Sequence, residues 1–225
     1  TWHVGDGNDR LIEIGGEGLA DKLLVGGGQA IVGSSGGRSL YREADDVVRL
    51  TESATTPGAV TLQGDGQSLT FAHIEEVTVN AGGGSDRVTI DDLTGTHVEK
   101  LTIDLESAGG SDDATDGDIV EFLGSDGPDT LRVQRLTGPI PVTDLSQTPP
   151  LVSYVPQNAV VARETTTGSA VTILGGNPDR DRLILRGRGG DDDLAVVTSG
   201  GVRVHDLIAV TLDGGAGDDR LETFY

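Results

Sequence analysis

Apolar and polar residues alternate along this chain in short bursts. "EVTV" at Glu76–Val79, "RVTI" at Arg87–Ile90 and "KLTIDL" at Lys100–Leu105 each put an apolar side chain at every second position. That period belongs to a strand with one buried face and one wet face. Similar bursts fall at Arg10–Ile14, Asp46–Leu50, Ala59–Leu62, Ser68–Phe71, Asp118–Phe122 and Thr130–Val133. After an interruption they resume at Ala170–Leu174, Arg182–Leu185, Leu194–Val197, Val202–Val204, Ala209–Leu212 and Arg220–Thr223. Gly, Asp or Asn closes nearly all of them. No helical stripe of useful length is present, so the expected fold is all-β.

The interruption, Arg135–Thr167, contains "TGPIPVTDLSQTPPLVSYVPQ". Its prolines remove backbone donors and resist a central strand. The expected organisation is a β block over residues 1–134, a proline-rich excursion or linker over 135–167, and a continuation of the β block over 168–225. An internal repeat favours the excursion. "LTFAHIEEVTVNAGGGSDRV" (Leu69–Val88) aligns without a gap on "VRVHDLIAVTLDGGAGDDRL" (Val202–Leu221). Phe71 meets Val204, Val77 meets Val210, Val79 meets Leu212 and Asp86 meets Asp219. A strand, a glycine-rich corner and a second strand recur as one unit. Such a unit cannot bury its apolar face alone, and units of this kind stack. The predicted architecture is a parallel β-solenoid, as a β-helix or an irregular β-roll.

Composition sharpens this picture. Aromatic residues make up 3 % and glycines number 35, so an aliphatic core must be thin. The 37 Asp and Glu against 16 Lys and Arg give a formal net charge of -21. Such a surface repels nucleic acid and anionic lipid and suits divalent cations where carboxylates converge. Cysteine is absent, which excludes disulfides and thiolate chemistry. No apolar run is long enough for a membrane helix, so no membrane insertion is expected. No signal peptide is visible. With Thr1 in place of Met, the chain reads as a mature product or a fragment.

The glycine–aspartate corners carry the candidate chemistry. Gly214–Glu222, "GGAGDDRLE", fits G-G-x-G-x-D-x-U-x throughout, with U a large aliphatic residue. "AGGGSDRVT" (Ala81–Thr89), "GSDGPDTLR" (Gly124–Arg132), "GRGGDDDLA" (Gly187–Ala195) and "VGDGNDRLI" (Val4–Ile12) each depart at one glycine. "GGNPDRDRL", reaching Asp181, and "EGLADKL", reaching Asp21, are looser. Calcium takes six to eight oxygens at about 2.3–2.6 Å. Glycines let carbonyls turn inward, the aspartate adds a charged arm, and the aliphatic residue anchors the corner. The pattern resembles the calcium-binding nonapeptide repeats of RTX, or hemolysin-type, secreted bacterial proteins. That resemblance implies a secreted or cell-surface bacterial protein, a parallel β-roll, and Ca2+ held between consecutive turns. It implies Asp219, Asp86, Asp192, Asp129 and Asp9 as carboxylate ligands. The matching glycines are Gly215, Gly217, Gly82, Gly84, Gly190, Gly127, Gly5 and Gly7. The corners are dispersed rather than tandem, which calls for coils longer than those of a simple roll. A further loop, "GGSDDATDGD", gathers Asp112, Asp113, Asp116 and Asp118, and reads as a loop calcium site or a solvated acidic loop.

Enzyme signatures are sparse. The four histidines show no H-E-x-x-H spacing, and no nucleophile elbow or phosphate loop is present. The expected function is an extracellular calcium-stabilised structural or adhesive module. A carbohydrate-active β-helix enzyme or its accessory domain is the alternative, and Arg87 and Arg220 beside aspartates are its only support. A self-assembling surface filament is the second alternative. Calcium is thus the expected cofactor, with polysaccharide or identical subunits as the partner classes left open.

Overall fold

Val77 and Val79, Val88 and Ile90, and Leu101 and Ile103 all turn inward, with half-exposed threonines between them. The sequence alternation therefore becomes strands that each bury one face. In the computed structural model, residues 2–3, 9–10, 22–26, 30–35, 38–42, 45–64, 67–81, 84–105, 117–136, 140–144, 151–155, 159–165, 168–198 and 203–224 are described. Before residue 45, and at 67, 140–144 and 151–155, the description is of backbone alone.

Among these residues the protein is all-β, built on two mixed sheets that do not close. Sheet A has nine strands. Their spatial order is β1 (Trp2–His3), β3 (Lys22–Gly26), β9 (Glu76–Asn80), β11 (Lys100–Asp104), β17 (Ala170–Leu174), β16 (Ala159–Glu164), β13 (Thr130–Arg135), β19 (Asp193–Val197) and β21 (Arg220–Thr223). Sheet B has eight: β2 (Asp9–Arg10), β8 (Gln67–Phe71), β7 (Val60–Gly64), β6 (Val47–Glu52), β10 (Arg87–Ile90), β12 (Ile119–Leu123), β18 (Arg182–Gly189) and β20 (Ala209–Ala216). From β8 onward the chain visits the sheets in turn, except where a hairpin keeps it in one. Buried side chains from both sheets, such as Leu50, Ile90 and Leu185 from B and Ile103, Leu131 and Leu194 from A, join in one apolar cluster.

Most ladders are parallel, including β6, β10, β12, β18 and β20 in succession. The expectation of uniformly parallel coils is nevertheless only partly met. β7 runs against β6 and β8, and β16 runs against β13 and β17. Each sheet holds one reversed strand, because a tight return leaves no length for a crossover and must pair antiparallel. Two ribbons lie apart, β4 (Ala30–Ser35) with β5 (Arg38–Arg42), and β14 (Ile140–Asp144) with β15 (Leu151–Val155). The second ribbon keeps the offset of β13 with β16: Ile140 is as far beyond Arg135 as its partner Val155 is before Val160. The described strands β14 and β15 therefore keep the register of the β13–β16 pair.

The predicted strand at Val202–Val204 is corrected at its end, Val202 lying outside the described residues. Val204–Asp206 is a 3-10 turn, whose Asp206 carboxylate accepts the Arg203 amide at 3.3 Å. Of the predicted Arg10–Ile14, Arg10 lies in β2 and residues 11–14 fall outside the described residues. Among the described residues no helix is long and apolar enough to cross a membrane.

Candidate functional site

The dispersed aspartates assemble into two columns. Asp46, Asp86, Asp118 and Asp181 each stand immediately before a sheet B strand, and Asp129, Asp192 and Asp219 immediately before a sheet A strand. Every described rung but the last in each column gives its amide to the carboxylate of the next. The Asp46 amide donates to Asp86 Oδ1 at 2.7 Å, Asp86 to Asp118 at 2.8 Å, and Asp118 to Asp181 at 2.9 Å. In the second column Asp129 donates to Asp192 Oδ1 at 2.8 Å, and Asp192 to Asp219 at 3.0 Å. Backbone carbonyls continue the same stack: the Asp46, Asp86 and Asp118 carbonyls accept the amides of Arg87, Ile119 and Arg182. Rungs separated by 40, 32, 63, 63 and 27 residues in sequence thus become neighbours.

The corners explain their glycines sterically. Gly124, Gly187 and Gly214 each sit five positions before an aspartate, and a Cβ there would overlap the carboxyl group of Asp129, Asp192 or Asp219. The third glycine of each corner stacks on its neighbour. A Cβ at Gly190 would lie 2.5 Å from the Gly127 carbonyl carbon, and one at Gly217 would collide with the Gly190 carbonyl. Both adopt a positive φ, +107° and +144°, which favours glycine independently. The second position is also left-handed: Gly215 has φ +95°, with a Cβ there 2.3 Å from the Arg188 carbonyl oxygen, and Arg188, its partner in the ladder, has φ 80°.

The columns are electrostatically costly. Asp86 is 3 % exposed, and its Oδ2 has no hydrogen-bond partner among the described residues. Burial pushes its carboxyl up to about 8. The Asp46 amide opposes that rise, while the carboxylates of Asp118, Asp46 and Asp45 add to it. Burial also raises Asp129 and Asp192. At Asp129 the Ser125 amide, at 2.7 Å from Oδ2, and the Ser125 hydroxyl pull the other way. Asp181 Oδ2 accepts the Asn177 amide at 2.7 Å in the same arrangement. Asp192 Oδ2 is buried with no hydrogen-bond partner among the described residues.

The outer face of sheet B holds a second set of carboxylates in another way. Glu121, 7 % exposed, receives Arg87 at 2.8 Å and Arg186 at 3.3 Å. Burial alone would raise it, but the two guanidinium groups hold it below its ordinary value. Arg49 forks onto Asp91 at 2.6 and 2.9 Å, and Arg186 also reaches Asp213 at 2.5 Å.

The structure brings Asp86 and Asp118 together, and Asp129, Asp192 and Asp219 together, as two groups rather than one. Gly84, Gly127, Gly190, Gly215 and Gly217 lie at the corners beside them. Asp118 belongs to the first column. Asp9 is placed only as backbone in β2, and Gly5, Gly7, Gly82, Asp112 and Asp116 fall outside the described residues. Asp46 and Asp181 complete the first column and were undervalued by the glycine pattern. Their signal is the aspartate two residues before an inward aliphatic side chain, Val48 or Leu183. Among the described residues no group of three or more His, Asp or Glu converges as a metal cluster. Asp86 Oδ2 and Asp192 Oδ2 are two buried column oxygens not spent on an amide among the described residues. The rings of His73 and His97 pair at 4.4 Å, and His97 Nδ1 donates to the Gly58 carbonyl at 2.8 Å. Comparison with family models, with curated proteins and with solved structures finds no match.

Proposed function

We propose that this chain is a calcium-stabilised structural or adhesive module of a secreted or cell-surface protein. Its two alternately visited sheets are read as the coils of a β-solenoid. The observation that carries the reading is the pair of unspent buried oxygens, Asp86 Oδ2 and Asp192 Oδ2, in columns of stacked aspartates. Like charges at that spacing and burial demand a proton or a cation. Calcium would take these oxygens together with corner carbonyls, in the manner of the RTX-type repeats that the corners resemble. Binding only to the folded coils would make cation affinity available as folding stability. The ordered column would then act as a rigid rod that loosens where calcium is scarce.

The test is a calcium titration of chelated protein, followed by thermal unfolding and calorimetry, with magnesium alongside. A saturable rise in melting temperature, selective for calcium and weakened in Asp192→Asn, is expected. An unchanged melting temperature with no heat of binding would refute the reading. A polysaccharide-processing face on sheet B is less well supported. Its arginines close on carboxylates, and the described ring pair, His73 with His97, involves no residue of that ion-pair network.

A further inference from the structure

Strands β9 and β11 run parallel in sheet A, with Glu76 opposite Lys100. Just before them the chain reads His73-Ile74-Glu75 and His97-Val98-Glu99, each an aliphatic residue between a histidine and a glutamate. The amides of Glu99 and Lys100 both donate to the Glu75 carbonyl at 2.9 Å, so the pairing continues behind the two strands. Carried back at the same offset, it sets Val98 against Ile74 and His97 against His73. Ile74 is buried and Val98 packs partly buried against the core, while both histidines are exposed. Their rings meet with centroids 4.4 Å apart and planes tilted by 37°.

Two further features hold these rings. A Cβ at Gly58 would stand 2.6 Å from His97 Cε1, so the imidazole fills the space a side chain would need. The Gly58 carbonyl accepts the His97 amide at 3.2 Å and His97 Nδ1 at 2.8 Å. In the neutral ring that bond keeps the proton on Nδ1 and leaves the lone pair on Nε2. Metal-binding histidines are oriented in this way, with a backbone carbonyl on the other ring nitrogen. His73 adopts φ 59°, and among the described residues only Arg188 shares a positive φ with it outside glycine. A left-handed backbone is unfavourable for a residue with a Cβ, and it is the setting from which the His73 ring meets that of His97. The local charge favours a cation. Glu75 and Glu99 follow the rings at two residues' distance, Lys100 lies 3.9 Å from Glu76, and the chain carries a net charge of -21.

We propose that His73 and His97 bind a divalent transition-metal ion that prefers imidazole, Zn2+ or Cu2+, through one nitrogen of each ring. Water completes the coordination, because no group of three or more His, Asp or Glu converges among the described residues. Imidazole suits these ions, whereas Ca2+ and Mg2+ take oxygen, so the pair differs from the aspartate columns in chemistry as well as in place. A bound ion would clamp the turn before β9 to the turn before β11 and, through Gly58, to the return between β6 and β7. The inference does not depend on the calcium reading.

Calorimetric titration of the chelator-treated full chain with Zn2+, in excess Ca2+, tests it, with electron paramagnetic resonance of added Cu2+ alongside. One Zn2+ per chain, and Cu2+ spectra coupled to two imidazole nitrogens, are expected. His97→Gln and His73→Asn should each weaken Zn2+ binding at least tenfold. Asparagine tolerates the left-handed backbone at 73, and both rings are exposed, so circular dichroism should stay unchanged. His205→Gln, at a histidine outside the pair, should leave binding intact. Zn2+ affinity indifferent to both ring variants, an equal loss in His205→Gln, or no heat of Zn2+ binding together with no nitrogen coupling to Cu2+ would overturn the inference.

Discussion

Glu121 and Asp86 are buried carboxylic acids on one sheet, on and beside the adjacent strands β12 and β10, and they are held in opposite ways. Glu121 lies under two guanidinium groups and ionises more readily than a free glutamate. Asp86 meets a backbone amide and the carboxylates above and below it, and its proton leaves only near pH 8. Burial alone fixes neither outcome. The outer face carries its own counter-charge in Arg49, Arg87 and Arg186, whereas the corner column has amides, which orient a carboxylate without neutralising it. Below about pH 8 the column therefore holds a proton at Asp86 where the outer face holds guanidinium groups.

The comparison breaks most forcefully where the column has no slack. Gly187→Ala would drive a methyl group into the Asp192 carboxyl and the Gly214 carbonyl. It should cost more than about 3 kcal/mol by urea unfolding. Gly127→Ala, whose Cβ would lie 3.6 Å from Ser125 Oγ, should stay within about 0.5 kcal/mol. Equal effects from the two would show that the corners are not packed as described.

The sign of the pH response sharpens the comparison next. The folded form of Asp86 holds its proton up to about pH 8, and an unfolded aspartate loses it near pH 4. Stability from this group is therefore complete below about pH 4 and declines as pH rises toward 8, by up to about 1.4 kcal/mol per unit. Chelated protein should melt at lower temperature at pH 8 than at pH 5. The overall negative charge contributes in the same direction, so the diagnostic is Asp86→Asn, which should flatten the slope. An unaltered slope in that variant would place the titration elsewhere.

Glu121 gives the smallest effect and the opposite sign. Its folded value lies below the unfolded one, so its contribution is present above the ordinary glutamate range and lost as pH falls through the lower value. Glu121→Gln should cost about 1–2 kcal/mol at pH 7, with the half-exposed arginines keeping the loss modest. The difference from the parent chain should shrink below pH 4 in chemical denaturation curves.

Much of this was readable from the chain. The alternation at Glu76–Val79, Arg87–Ile90 and Lys100–Leu105 gives β9, β10 and β11 almost to the residue. What escaped is long-range. β16 was hidden because Pro139, Pro141, Pro149, Pro150 and Pro156 disguise a hairpin whose paired root is proline-free. The repeat linking Val77 to Val210 is real in sequence, yet Val77 lies in sheet A and Val210 in sheet B. The repeat is a strand, a corner and the next strand in the other sheet, and a local motif does not say which sheet comes first. Asp86 and Asp129 therefore look alike and stand in different columns. Register is set by the length of each turn, and that length varies with every inserted hairpin.

The hairpin in sheet A also constrains the order in which the sheet can be completed. The chain leaves β12 and enters sheet A at β13, beyond two lanes that nothing earlier in the sequence can fill. β16 and β17 then return into the gap, and the seam closes when Val171 meets Leu101. Sheet A thus cannot be assembled by adding strands outward in the order of synthesis. Its middle is finished after part of its periphery, and contacts of such wide sequence separation are those that slow folding.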